Sequence, residues 1–311
     1  MSKALLFPGQ GSQFVGMGRD LADAFPEARA VFEEADAVLG IALSRICFEG
    51  PEGDLRRTAN TQPAILTHSI AVLRTLEARR PKAVADAVLV AGHSLGEYSA
   101  GVAAGAFSFA DAVRIVRDRG LFMQEAVPEG IGAMAAIVGL PRDAVATACA
   151  DTAQATGKIV SPANFNSPEQ TVIAGHRDAV EQASARCKEL GAKRAIPLPV
   201  SAPFHCALMR PAAERLAPKL SALALRDPRI PVVTNVDAAP ATTGEAIRDA
   251  LARQVDSPVR WVETVVAIAE AGVTEALEIG PGNVLAGLVR RTRKEITVHS
   301  IGRAEEITAA S

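Results

Sequence analysis

Cysteine is scarce and unpaired in this 311-residue chain. Its four cysteines, Cys47, Cys149, Cys187 and Cys206, form no Cys-x-x-Cys pair, which argues against a disulfide framework or a zinc knuckle and fits a reducing compartment. Charge of one sign is also missing. The formal net charge is −2, so no global field marks a nucleic-acid or membrane binder. No stretch approaches the ~18 uninterrupted apolar residues of a membrane-spanning helix. The apolar run in Met1-Ser-Lys-Ala-Leu-Leu-Phe7 is too short for a signal peptide. Internal repeats and low-complexity tracts are absent as well. These absences predict a cytoplasmic globular protein, and its length is enough for a large core and more than one structural unit. Hydrophobic residues at 49% and charged residues at 22% are the ordinary balance for that class.

What is present is Gly92-His93-Ser94-Leu95-Gly96, set between the apolar run Ala87–Ala91 and the helix-like stretch Glu97–Ala104. Gly-x-Ser-x-Gly counts as a nucleophile elbow only in a strand–turn–helix setting, and this setting qualifies. The flanking glycines allow a turn too sharp for residues with a Cβ, which pushes the Ser94 hydroxyl out beside the N–H groups opening the next helix.

Lys3–Phe7 reads as a strand broken by Pro8-Gly-Gln-Gly-Ser-Gln13. Helical patterning covers Arg19–Leu39, Gln62–Arg80 and Phe109–Ala126. The middle of the chain reads as strands Gly132–Leu140, Lys158–Asn164, Gln170–Ala174 and Arg194–Val200, with helices Arg142–Thr152 and Asp178–Leu190. That β-α-β-β-α-β order is a ferredoxin-like unit able to bury its own core. A helix near Leu208–Leu223 follows, then a strand Pro231–Val236 and a helix Val259–Ala271. Strand Glu275–Ile279 and helix Val284–Arg291 close the series. The expected fold is α/β: a hydrolase-like, mostly parallel sheet domain over 1–127 and 201–311, with a ferredoxin-like subdomain inserted at 128–200. A substrate would sit in the cleft between them.

A serine hydroxyl needs a base. Among the five histidines, His68 reads as packed within a helix, and His176 and His299 as solvated in turn-like or terminal segments. His93 flanks the serine but should point away from it on the elbow. His205 stands where the chain re-enters the large domain, in Ala202-Pro-Phe-His205, and is the candidate base. It follows the serine by 111 residues. No acid stands out between them, so the expectation is a Ser–His dyad whose imidazole is oriented by a carbonyl.

The Pro8–Gln13 loop is either a plain glycine turn or half of an oxyanion hole. In the second case the Leu95 N–H and the Gln10 N–H would be the donors. No Gly-Lys-Ser/Thr follows, which disfavours a phosphate loop. Arg114 has Asp111 and Asp118 at helical spacing and reads as a solvated ion-pair face. Arg119 has Ile115, Val116, Phe122 and Met123 around it, so its guanidinium should be buried. Burying it without an anion costs several kcal/mol; either a protein carboxylate or a substrate carboxylate must supply one.

Phe7-Pro-Gly-Gln-Gly-Ser-Gln13, Gly92-His-Ser-Leu-Gly-Glu97, Arg119-Gly120, Asn164-Phe-Asn-Ser-Pro168, Ala202-Pro-Phe-His205 and Glu278-Ile-Gly-Pro-Gly282 together resemble the malonyl-CoA:acyl-carrier-protein transacylase family of bacterial fatty-acid synthesis. The match runs in order over nearly the whole chain. The resemblance implies Ser94 as nucleophile, His205 as base, Gln10 and Leu95 as oxyanion donors, and Arg119 as bidentate partner of a malonyl carboxylate. It also implies that the carbonyl of Gln254 orients the histidine, where spacing alone gives an ordinary helix-end residue. Leu95 after the serine and Phe204 before the histidine look like the malonyl-type pattern of related polyketide acyltransferase domains; Phe204 would fill space that an α-methyl group needs.

The expected activity is ping-pong malonyl transfer from the coenzyme A thioester to acyl carrier protein. No metal or redox cofactor is expected, and the chain is expected to act as a monomer. Two other enzymes remain open, a discrete polyketide acyltransferase and a serine esterase. A vestigial docking subunit would need a broken motif, and none is found.

Overall fold

The computed structural model describes residues 2–200 and 202–309. Its strands are β1 (Ser2–Phe7), β2 (Ala87–Gly92), β3 (Gly132–Val138), β4 (Val160–Ser167), β5 (Gln170–His176), β6 (Arg194–Pro197), β7 (Val232–Val233), β8 (Pro240–Ala241), β9 (Val273–Ile279) and β10 (Thr297–Ile301). They form a six-stranded sheet of order β10-β9-β1-β2-β7-β8 and a four-stranded sheet of order β4-β5-β3-β6. The large sheet is parallel apart from β8, which runs antiparallel on β7. The small sheet is wholly antiparallel.

Alternation along β1 and β2 explains why helices cover both faces. Successive strand side chains point to opposite sides. Leu5, Phe7 and Val90 enter one core with Ile65, Leu66 and Val116. Ala4, Leu6, Leu89 and Ala91 enter the other, with Trp261, Val265 and Leu285. In the small sheet, Ala135 and Ile137 pack on Val145, Cys149, Val180 and Cys187 from its own two helices. Met134 and Ala136, on the opposite face of β3, join the first large core together with Phe204. Main-chain bonds from Phe165 N–H to Val259 O (2.9 Å) and from Val259 N–H to Ala163 O (2.9 Å) fasten β4 to the large sheet's side of the molecule. The four cysteines are buried and free.

Several elements differ from the sequence expectation. Arg19–Leu39 is two helices, Arg19–Ala24 and Pro26–Leu39. Pro26 disfavours helical backbone at the residue before it, and Phe25 is extended. The helix expected over Gln62–Arg80 begins earlier, at Thr58, and continues to Arg79 with Pro63 inside it. Pro63 has no N–H to give the Ala59 carbonyl, and Arg117 Nη1 donates to that carbonyl instead at 2.7 Å. Strand β6 stops at Pro197 instead of Val200, and the expected strand Pro231–Val236 shrinks to two paired residues. Unforeseen were the helices Leu43–Glu49 and Glu52–Arg56, and strand β10. No helix among the described residues is long and apolar enough to cross a membrane.

Candidate active site

Ser94 sits between β2 and the helix Gly96–Ala103 with φ 52°, a left-handed value rare for a residue with a side chain. Both glycines of the motif are required by close approach. A Cβ on Gly92 would lie 1.9 Å from the Gly96 carbonyl carbon, and one on Gly96 would lie 2.0 Å from the Phe7 carbonyl oxygen. The elbow is therefore wedged against the end of β1, and the His93 N–H donates to Phe7 O at 3.0 Å.

The Ser94 hydroxyl lies 2.7 Å from His205 Nε2. His205 Nδ1 is 3.0 Å from the Gln254 carbonyl and 3.2 Å from that of Ser257. Carbonyls only accept, so Nδ1 carries the proton and Nε2 is left to accept from the serine. The Gln254 carbonyl is available because Gln254 ends its helix, where the last carbonyls have no intrahelical donor. His205 is itself left-handed (φ 59°) and buried. Burial, and then the nearby Arg119 charge, push its pKa down to about 3, so the imidazole is neutral at neutral pH.

Arg119 is 1% exposed, as its apolar helical neighbours predict. Its Nη1 donates to Gln62 Oε1 (2.8 Å), and its Nη2 to Gln254 Oε1 (2.9 Å) and to Ser94 Oγ (3.1 Å). The guanidinium carbon lies 5.6 Å from the Tyr98 ring centre. Gly120 allows this placement, because a Cβ there would come within 2.7 Å of the Thr58 carbonyl on the facing helix. Among the described residues no carboxylate forms an ion pair with Arg119; amide oxygens and the serine accept from it. Of the neighbouring arginines, Arg114 pairs with Asp111 at 3.6 Å, but Asp118 pairs with Lys219 instead.

Gln10 and Leu95 line the same cleft as Ser94, His205 and Arg119, and so does Phe204. Among the described residues neither the Gln10 nor the Leu95 main-chain N–H has a protein acceptor. The cleft holds about 150 Å³ and is closed on the small-sheet side by Met134, Asn164, Asn166 and Val172. Gln254 does not line it; it lies fully buried behind Arg119 and His205.

His93 turns away from the nucleophile, as expected, with Nε2 2.8 Å from Asn166 Oδ1 and its ring 5.5 Å from that of Trp261. His68 is buried in its helix, and burial pushes its pKa down to about 4. His176 departs from the solvated expectation: it is half-buried at the end of β5, where its Nδ1 accepts from Ile159 N–H at 3.0 Å. His299 lies on strand β10, 3.7 Å from Glu275.

The sequence reading missed Gln62, which accepts from Arg119, and two further buried polar residues. Glu97 Oε2 accepts from Gln254 Nε2 (2.8 Å) and from the Asn235 main-chain N–H (2.9 Å), and burial raises its pKa to about 7. Glu97 reads in sequence as the first residue of a helix, and Asn235 as part of the expected strand Pro231–Val236. The only available signal was that Glu97 closes the Gly92–Glu97 motif.

Residues 4–310 match the family model described as an acyl transferase domain. The malonyl CoA-acyl carrier protein transacylase of Escherichia coli K12 is 52% identical over 307 residues, covering 99% of this chain and 98% of that protein. The Bacillus subtilis protein of the same name is 49% identical over 311 residues, covering 100% and 96%. Among solved structures, a malonyl-transacylase in complex with a type II polyketide-synthase acyl-carrier protein superimposes with a TM-score of 0.95 at 50% identity, covering 100% and 99% of the two chains. The acyl carrier protein S-malonyltransferase of Vibrio cholerae gives 0.94 at 49% identity, covering 99% of each. Matched over its full length in sequence, fold and elbow context, the chain belongs to the acyl transferase family, among the malonyl-CoA:acyl-carrier-protein transacylases.

Proposed function

We propose that Ser94 carries a malonyl group from the coenzyme A thioester to the phosphopantetheine thiol of acyl carrier protein, by a ping-pong route that supplies fatty-acid elongation. One observation carries this reading. The Ser94 hydroxyl is bonded at once to a neutral imidazole and to a buried guanidinium that no carboxylate among the described residues pairs. His205 Nε2 takes the hydroxyl proton as Oγ attacks the thioester carbonyl. The resulting oxyanion accepts from the Leu95 and Gln10 N–H groups. On collapse the C–S bond breaks and the imidazolium protonates the departing thiolate. The carrier thiol then gives its proton to His205 and attacks the acyl ester. The C–O bond to Ser94 breaks, and the proton returns to Oγ.

Arg119 anchors the malonyl carboxylate, and Gln254 orients the imidazole through its carbonyl. Phe204 narrows the space beside the α-carbon. A thioester is already activated, so the chemistry requires no metal or redox cofactor. Four free thiols support a cytoplasmic setting.

We also divide the chain into a catalytic domain, 1–127 and 201–311, and an inserted subdomain, 128–200. The unbroken run from β3 to β6 and its separate core support that division. Residue 201, at the second junction, lies outside the described residues, as do 1, 310 and 311.

A polyketide carrier is the second reading, favoured by the 50% identity to a transacylase solved with such a carrier. Rates with the two kinds of carrier protein distinguish them. The test of the common chemistry is intact mass after malonyl-CoA alone. One malonyl group should appear on Ser94 and be absent from Ser94→Ala. An adduct persisting in Ser94→Ala would sink the assignment.

A further inference from the structure

The acyl-transfer steps leave Asn235 without a role, although it is fully buried and bonded through both ends of its side chain. Asn235 lies just beyond β7, the neighbour of β2 in the sheet. Its Oδ1 accepts the Ser94 main-chain N–H at 2.6 Å, and its Nδ2 donates to the Gly92 carbonyl at 2.7 Å. Its own main-chain N–H donates to Glu97 Oε2 at 2.9 Å, and its carbonyl accepts from Arg260 N–H at 3.1 Å. One planar amide thus ties together the strand end, the left-handed nucleophile and, through Glu97, the helix that follows.

We propose that Asn235 is a positioning residue for the transfer reaction, clamping the elbow in its left-handed shape and occupying the Ser94 N–H so that Leu95 presents the free donor to the oxyanion. This rests on the nucleophile assignment to Ser94. A left-handed residue with a Cβ is held only where its surroundings over-determine it. Here the surroundings demand an acceptor toward Ser94 and a donor toward Gly92, side by side. Only an amide, or a protonated carboxyl, supplies both. An ionised aspartate would set a second acceptor against the Gly92 carbonyl, and alanine would leave both groups buried and unpaired.

The test uses Asn235→Ala and Asn235→Asp in the full chain. The readout is the single-turnover rate at which malonyl-CoA forms the Ser94 adduct, followed by quenched intact mass with peptide mapping. Asn235→Ala should acylate about 10²-fold more slowly, the scale of loss for a misplaced reacting group, with KM for malonyl-CoA within about threefold of wild type. Asn235→Asp should be comparably slow near pH 8. Its rate relative to wild type should rise as pH falls toward about 5, because burial raises the new carboxyl's pKa and its protonated form regains a donor. Glu97 bonds the Asn235 main chain, Arg260 N–H meets its carbonyl, Asp237 lies two residues on, and His205 and Arg119 bond Ser94 across the elbow; all five are common to both proteins, so the ratio to wild type removes what they contribute equally to each.

An Asn235→Ala protein that labels Ser94 at the wild-type rate overturns the proposal, as does a folded Asn235→Asp whose relative rate is flat with pH. Should Asn235→Ala fail to fold, the Asn235→Asp profile decides alone. A wild-type adduct mapped away from Ser94 would instead remove the nucleophile assignment, and the proposal with it.

Discussion

Arg119 Nη2 donates to the Ser94 hydroxyl at 3.1 Å, so the cation proposed to hold the substrate carboxylate already touches the proposed nucleophile. The same charge disfavours protonation of His205, second only to burial. A malonyl carboxylate bound at Arg119 would offset that charge and make the imidazole a better base at the moment it is needed. An acetyl group could not.

Selectivity should therefore fail in a particular way when the guanidinium is removed. In Arg119→Ala, malonyl transfer should fall by about 10²-fold or more, while acetyl transfer holds or improves. Arg119→Lys should rescue poorly, because a single ammonium cannot reproduce the fork. The measurement is the ratio of malonyl to acetyl kcat/KM in the three proteins. An unchanged ratio in a folded Arg119→Ala would place selectivity elsewhere.

His205→Ala should slow acylation of Ser94 and transfer to the carrier alike, by about 10²–10⁴-fold each, since in the proposed route one imidazole serves as base and then acid in both halves. His93→Ala should lose far less, because His93 bonds Asn166 and not the serine. Separate single-turnover measurements of the two halves check this. Near-native rates in His205→Ala would mean the base is another group.

Stability should depend on pH through Glu97. Its carboxyl is raised from 4.5 to about 7 in the folded state, chiefly by burial, so the folded protein holds a proton that the unfolded chain releases. That contribution is present below about pH 4.5 and is lost as pH rises toward 7. Glutamine can accept from both Gln254 and Asn235 through its single carbonyl oxygen without titrating. The melting temperature of Glu97→Gln relative to wild type should climb between about pH 5 and about pH 8. A constant offset across that range would show that Glu97 does not titrate there.

Phe204 lines the cleft beside His205 and is 7% exposed. Phe204→Ser should open room for an α-branch and raise the ratio of methylmalonyl to malonyl transfer. Steady-state rates with the two thioesters test it, alongside a melting curve, since emptying a buried aromatic site costs about 3–5 kcal/mol. A folded variant with an unchanged ratio would remove Phe204 from the specificity determinants.

Local chemistry made much of this protein legible before any coordinates. The Gly92–Gly96 motif between an apolar strand and a helix announces the elbow because only glycine survives such close approach. The apolar neighbours of Arg119 announce its burial because a helix repeats its faces every 3.6 residues. Even the antiparallel insertion was readable, from the order of its strands and helices.

What the sequence could not say is which distant groups meet. Glu97 and Asn235 are separated by 138 residues and converge only because β7 pairs with β2 at the mouth of the elbow. Gln254 looks like any helix-end residue until its helix carries its carbonyl to His205 and its side chain to Arg119. Spacing along a chain fixes neighbours within one turn or one strand. Hydrogen bonds across an interior depend on sheet order and helix docking, which no local pattern encodes.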